Sequence, residues 1–158
     1  MQSLKKIRLS RLFGDGMVLQ RNSCVKIWGW APAGEEIRVR FKDQIYSGTT
    51  AMDGRWKVSL QTEDAGGPFE MIIQSYDGTE HIRLVNILLG DVWLCSGQSN
   101  MEMKMDSIQH TFPKDIVYGE NDAIRQFLVP VAYHFEQPCV DLESGGWEAA
   151  DAVSIMNF

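Results

Sequence analysis

A serine within a short run of small and polar residues, Gly97-Gln98-Ser99-Asn100, has the residue types of a nucleophile turn. The apolar run before it, residues 86–95, predicts a buried strand, and residues 102–110 can form a helix. A serine at such a junction exposes its hydroxyl, and its N–H lies where unpaired donors favour a developing anion. These are the requirements of an acyl-transfer nucleophile, so Ser99 is a candidate for that role.

The same run of residues also suits a turn without catalysis. Serine and asparagine side chains accept hydrogen bonds from nearby backbone donors, so Gly-x-Ser-Asn favours turns and helix N-caps. The run also differs from the nucleophile elbow of α/β-hydrolases, Gly-x-Ser-x-Gly, because position 101 is methionine. The local residues alone leave both interpretations open.

Several unusual blocks of residues accompany the serine in a fixed order along the chain. The serine lies within residues 90–102, Gly-Asp-Val-Trp-Leu-Cys-Ser-Gly-Gln-Ser-Asn-Met-Glu, and the other blocks occupy residues 17–21, 28–30, 53–58, 65–69, 124–127 and 147. Together they resemble the sialate O-acetylesterase family, carbohydrate esterases of the SGNH (GDSL-like) hydrolase group. The resemblance implies that Ser99 attacks an O-acetyl ester on a sugar such as sialic acid. It also implies that Gly97, Gln98 and Asn100 shape the turn or contact the oxyanion or substrate.

A base for Ser99 must come from a histidine, and the chain has three. His81 falls on a predicted strand and is expected to face solvent, whereas His110 lies about three helical turns from the serine. His134 follows a predicted strand and is the local candidate. In the family the base belongs to an Asp-x-His-type block near the end of the catalytic domain, and no residue here matches that block. The resemblance therefore implies the N-terminal portion of a longer esterase.

Two segments with different apolar patterns divide the chain. Residues 1–89 contain short runs of alternating polarity separated by turn residues, which predict a β-sandwich of the jelly-roll or immunoglobulin-like kind. The predicted strands cover residues 24–30, 36–41, 45–50, 55–60, 69–75 and 81–84. The apolar run that leads into residues 90–158 is continuous, which is typical of a strand in a parallel α/β sheet. The resemblance implies that residues 90–158 are the opening βα segment of a truncated α/β SGNH-hydrolase domain.

The second segment also contains further predicted elements. Met101, Met105 and Ile108 recur at helical spacing and predict a helix face that packs on a core. Residues 124–131 predict another strand, and residues 153–158 predict the start of a further ordered element. Residues 111–122 and 137–146 contain glycine, proline and charged residues and predict loops.

Composition limits the classes of function. The net charge of −6 disfavours nucleic acid as a partner, and no apolar run approaches the roughly 20 residues that span a bilayer. The three cysteines have no metal-ligand spacing, and Cys95 is expected to be buried in the apolar strand. No metal site, phosphate loop or dinucleotide motif is found, so no cofactor is expected. The start lacks the apolar stretch of a signal peptide, and export after removal of a leader or a cytoplasmic location both stay open.

The aromatic residues and the incomplete catalytic set leave a second class of function open. Trp28, Trp30 and Trp56 can fill a sandwich core or form a stacking platform for sugar rings. The alternative to an esterase is therefore a non-enzymatic carbohydrate-binding or interaction module with a vestigial hydrolase segment. For an incomplete catalytic domain, the expected partner is the C-terminal remainder of the enzyme or a second copy of the chain.

Overall fold

The computed structural model describes residues 6–97, 99–101, 103–111, 113–114, 121–133 and 135–157. Within these ranges the chain is mostly β-strand with little helix, as the sequence predicts. The strands are β1 Arg8–Leu9, β2 Val18–Gln20, β3 Cys24–Trp30, β4 Glu36–Phe41, β5 Gln44–Thr49, β6 Arg55–Gln61, β7 Gly66–Ser75, β8 His81–Gly90, β9 Asn121–Phe127 and β10 Trp147–Ala150. The short helix α1 covers Met105–Ile108, and 3-10 turns cover Ser99–Met101 and Ser154–Asn157.

The first eight strands form two sheets that share one apolar core. One sheet has the order β1-β3-β6, and the other has the order β2-β8-β7-β4-β5. Neighbouring strands are antiparallel, except that β2 runs parallel to β8. The shared core comes from alternate residues of these strands, including Ile27, Ile37, Val39, Phe41, Trp56, Val58, Leu60, Met71, Ile73, Ile87 and Leu89.

Strand β8 is one continuous strand where the sequence predicts two. The sequence predicts that one strand ends at Leu84 and that another begins at residue 86, but both positions lie within β8. The pairing with β7 steps from Met71↔Leu84 to Phe69↔Ile87, so β8 carries one extra residue at this point. Asn86 lies in this step with φ of 58°, a left-handed conformation that fits a β-bulge. The bulge shifts the alternation of buried residues by one position. The sequence pattern is therefore interrupted, although the strand is continuous.

The three tryptophans considered as a sugar platform are all covered. Trp56 is buried in the shared core. Trp28 packs edge to face against Phe13 with 4.6 Å between ring centroids, and the Arg8 guanidinium lies 3.7 Å from the ring centre of Trp30. Gly29 between them lets β1 approach, since a Cβ there would lie 2.0 Å from the Arg8 carbonyl oxygen. These rings are therefore packing residues, not an exposed stacking platform.

Residues 91–95 correct the prediction of a buried strand. The strand ends at Gly90, and residues 91–97 have no regular structure. Trp93 and Leu94 are 84% and 88% exposed, and Cys95 is exposed rather than buried. A strand covered on both faces needs parallel neighbours and flanking helices. The described residues after Gly90 supply neither, because β9 pairs with β10 in a separate antiparallel ribbon.

The helix predicted after Ser99 is also shorter than expected. Helix α1 contains four residues, and Met101 at the other end of the predicted apolar face is 59% exposed. The methionine face therefore lacks a core to pack on within the described part of the chain. The predicted strand at 124–131 exists but is shifted to Asn121–Phe127, and the last ordered element is the 3-10 turn Ser154–Asn157.

The β9–β10 ribbon is attached to the N-terminal residues of the chain. Trp147 of β10 packs against the shared core, and its indole Nε1 donates to the Leu12 carbonyl at 2.8 Å. Asp141 accepts hydrogen bonds from Ser10 Oγ at 2.9 Å and from the Arg11 amide at 3.1 Å. Arg8 adds an ion pair to the same carboxylate at 3.2 Å. Contacts far apart in sequence thus hold residues 8–12 and 141–147 together.

We expect Ile73→Ala to lower the free energy of unfolding by about 2–5 kcal/mol, because it leaves a cavity in the shared core. Ile73 on β7 is fully buried, whereas Ile45 on β5 of the same sheet is 67% exposed. The matched control Ile45→Ala should change stability by no more than about 0.5 kcal/mol. Urea denaturation followed by tryptophan fluorescence measures both. Equal losses for the two variants would contradict the assigned faces of the sheet.

Candidate active site

Ser99 is the first residue of the 3-10 turn Ser99–Met101, and it is exposed. Its φ of 58° lies in the left-handed region, which is uncommon for a residue with a side chain and stores strain in the turn. Gly97 has φ of 156°, and a Cβ there would lie 2.9 Å from Met101 Cγ. The close approach explains a glycine at this position. The Asn100 backbone completes the turn, and Gln98 lies outside the described residues.

The described residues bring no base to Ser99. No hydrogen bond joins its Oγ to a side chain in the described ranges. His81 is exposed at the start of β8, as predicted, and His110 is exposed in the turn that follows α1. His134 lies outside the described residues. The roles of Ser99, Gly97, Gln98 and Asn100 therefore stay predictions.

Two residues at the end of β2 hold the chain where it leaves β8 toward Ser99. Arg21 Nε donates to Asp91 Oδ1 at 2.9 Å, and the Arg21 amide donates to the Gly90 carbonyl at 2.9 Å. Gln20 Oε1 accepts a hydrogen bond from the Val92 amide at 2.8 Å. The hydrogen bond and the charge of Arg21 lower the pKa of the Asp91 carboxyl below its ordinary value. The carboxylate thus stays ionised and paired at neutral pH.

Gln20 and Arg21 belong to the block at residues 17–21 that carries the family resemblance, but the sequence predicts no structural role for them. Their signal was present, because both are polar and directly follow the apolar residues 17–19. The contact with Asp91 could not be read from the sequence, since it depends on β2 pairing parallel to β8 across about 70 residues of chain.

A cleft of about 450 Å³ lies elsewhere, beside the contact between the N-terminal residues and β10. Its lining combines charged, aromatic and glycine residues from these two regions and does not include Ser99: Arg8, Leu9, Ser10, Arg11, Phe13, Gly14, Asp15, Asp141, Gly145, Gly146 and Trp147. Among the described residues no cluster of three or more histidine, cysteine or acidic side chains is arranged to hold a metal ion. No helix in the described ranges is long and apolar enough to cross a membrane.

Large apolar side chains are exposed around and after the serine turn. They belong to residues 92–94, to positions 101 and 103 at and beyond the end of the turn, and to the stretch that follows β9: Val92, Trp93, Leu94, Met101, Met103, Leu128, Val129, Val131, Tyr133, Phe135 and Val140. Single exposed apolar residues are normal on proteins, but a concentration of them marks an interaction surface. The segments before and after the serine turn therefore carry large apolar side chains that the described residues leave exposed.

Comparison with known proteins gives the same family as the residue blocks. The chain is 38% identical over 145 residues to the rat sialate O-acetylesterase, covering 86% of this chain and 27% of that protein. It is 36% identical over 110 residues to the mouse sialate O-acetylesterase, covering 64% of this chain and 20% of that protein. The human sialate O-acetylesterase is 34% identical over 105 residues, covering 61% of this chain and 20% of that protein.

A solved structure agrees with these sequence matches. The crystal structure of a carbohydrate acetylesterase from Xanthomonas citri matches with a TM-score of 0.86 and 33% identity, covering 96% of this chain and 34% of that one. A scan against family models finds no match. The chain spans about a fifth to a quarter of the length of the curated relatives it matches. The chain thus belongs to the sialate O-acetylesterase family, to whose N-terminal portion it corresponds.

Proposed function

We propose that this chain is the N-terminal part of a serine carbohydrate esterase that removes O-acetyl groups from sugars, with sialic acid as the first substrate to test. The observation that carries the proposal is the Gly-Gln-Ser-Asn block with Ser99 in a strained left-handed turn, in a chain related to sialate O-acetylesterases. Strained backbone is typical of sites where a side chain must be aimed for chemistry. A turn with no such role would more commonly place glycine or asparagine at this conformation.

In the proposed reaction, Ser99 Oγ attacks the carbonyl carbon of the acetyl ester while a base takes its proton. The carbonyl oxygen becomes an oxyanion and accepts a hydrogen bond from the Ser99 amide. The sugar oxygen leaves with a proton from the conjugate acid of the base, and Ser99 carries the acetyl group. Water then attacks this ester and releases acetate. The base comes from the part of the enzyme that follows this chain, and His134 is the local alternative.

We further propose that residues 1–89 form a β-sandwich domain and that residues 90–158 begin the SGNH-type domain. Under this proposal the exposed Trp93 and Leu94 become buried when the remainder of the catalytic domain supplies parallel neighbours. Arg125 and Gln126 on β9 support it. Buried nitrogen atoms of both side chains lack a hydrogen-bond partner among the described residues, which is costly unless other groups complete the site.

The competing function is a non-enzymatic carbohydrate-binding or interaction module. It is favoured by one observation, the lack of a described base beside Ser99. The covered tryptophans argue against it, because Trp28, Trp30 and Trp56 present no stacking platform. The two activity experiments below separate the esterase from this module.

Replacing Ser99 with alanine in the full-length protein should lower kcat for an aryl acetate by roughly 10⁴-fold or more, because the nucleophile is lost. The matched control is Ser96→Ala, which removes the same hydroxyl from an exposed residue of the same segment. It should leave kcat within about twofold. Release of acetate from an O-acetylated sialic acid in the same variants tests the substrate. Near-normal turnover by Ser99→Ala would remove this serine from the mechanism.

The isolated chain of residues 1–158 should have little or no esterase activity, because an unactivated serine hydroxyl is a weak nucleophile at neutral pH. Adding the remaining segment of the enzyme should restore Ser99-dependent acetate release. Binding of that segment should also reduce the accessibility of Trp93, measured by quenching of tryptophan fluorescence with acrylamide. Substantial hydrolysis by the isolated chain that disappears in Ser99→Ala would contradict this expectation and make His134 the next residue to replace.

A further inference from the structure

We infer that Gln20 and Arg21 are positioning residues for the reaction at Ser99, although both belong to the sheet of the N-terminal region. The inference rests on the proposed function. The two side chains and their contacts with Gly90, Asp91 and Val92 are called the strand-exit clamp below. The clamp fixes the direction in which the chain leaves β8, and that direction determines where the serine turn lies.

The strand-exit clamp binds the chain through both backbone and side-chain hydrogen bonds. The Arg21 amide donates to the Gly90 carbonyl, which extends the parallel pairing of β2 and β8 by one step. Arg21 Nε then holds the Asp91 carboxylate at 2.9 Å, and Gln20 Oε1 holds the Val92 amide at 2.8 Å. The consecutive residues 90–92 are thus fixed by the side chains of Gln20 and Arg21 and by the Arg21 backbone amide.

The Gln20 side chain uses both ends of its amide in the strand-exit clamp. While its oxygen accepts from Val92, its Nε2 lies 3.4 Å from the Arg21 carbonyl and 3.5 Å from Asp91 Oδ1. A carboxylate in its place would lose the donor and oppose Asp91. A leucine would keep the approximate size and lose both functions. Glutamine at position 20 therefore suits a residue that orients Asp91 and Val92 better than one that is only exposed to solvent.

Among the described residues, the clamp provides the last hydrogen bonds between the chain and the sheets before the serine turn. Residues 93–97 make no hydrogen bond with other described residues, and Ser99 follows Val92 by seven residues. A change of direction at Val92 therefore changes where the following residues meet the remainder of the catalytic domain, and with them the position of Ser99. Misplacement of a reacting group by about 1 Å can lower a rate by roughly 100-fold.

The exposure of the clamp argues against a role in overall stability. Arg21 and Asp91 are 42% and 53% exposed, and ion pairs in such positions contribute little to folding. The shared core lies elsewhere. Loss of the clamp should therefore change the orientation of residues 91–97 more than it changes the melting temperature.

The activity test uses the full-length enzyme with Gln20→Leu, Arg21→Gln and Arg21→Lys. We expect the first two variants to lower kcat by about tenfold with KM within about twofold and Tm within about 2 °C of the wild type. Arg21→Lys keeps the charge and should retain a larger share of kcat than Arg21→Gln. The matched control is Arg83→Gln on β8, which removes a similarly exposed ion pair with Glu70 of β7 and should leave kcat unchanged.

The second measurement is hydrogen exchange of the Val92 amide in the isolated chain. Gln20→Leu should remove its protection, while Arg83→Gln should leave it unchanged. Unchanged kcat in both Gln20→Leu and Arg21→Gln, with an inactive Ser99→Ala, would overturn the inference and leave the proposed function standing. A fall in kcat that only follows a fall in Tm, or unchanged exchange at Val92, would also overturn it. An active Ser99→Ala would overturn both proposals.

Discussion

The pairing of β8 with strands on both sides is the constraint on which the rest of the structure depends. Its antiparallel contact with β7 places Ile87 and Leu89 in the shared core, and its parallel contact with β2 continues to Gly90. A central strand with two neighbours satisfies its backbone polar groups on both edges, so its position and direction are strongly fixed. The chain leaves the same strand in the direction of Ser99. Stability and the orientation of the candidate site therefore depend on one element.

Strands β3 to β8 could be predicted because their signals are local, whereas β1 and β2, with two and three residues, were not predicted. Alternation such as Ile37, Val39 and Phe41 marks a half-buried strand whatever the partner is, and Asp53-Gly54 marks the turn between strands. The exception is the bulge at Asn86. There the alternation changes phase within one strand, and only the pairing with β7 reveals that the strand continues.

The segment after Gly90 could not be predicted in the same way. Its apolar residues indicate that they pack against other elements, but they do not indicate which elements those are. Val92, Trp93 and Leu94 have the composition of a buried parallel strand, yet they are exposed where no parallel neighbour exists among the described residues. Ser99 was found from residue type and family resemblance, and its catalytic role stays a prediction. The contact of Arg21 with Asp91 was missed, because a pairing between sequence-distant strands leaves no trace in local periodicity.

The carboxylate of Asp141 binds Arg8, Ser10 and the Arg11 amide, which lie 130 to 133 positions earlier in the chain. Contacts of such separation form late and slowly, because the entropy of closing a long loop opposes them. During synthesis the ribosome releases residues 8–11 long before Asp141 exists. Strand β1 can pair with β3 first, but its contacts with Asp141 must wait until that residue emerges. The fixing of residues 8–11 is thus coupled in time to the synthesis of Asp141.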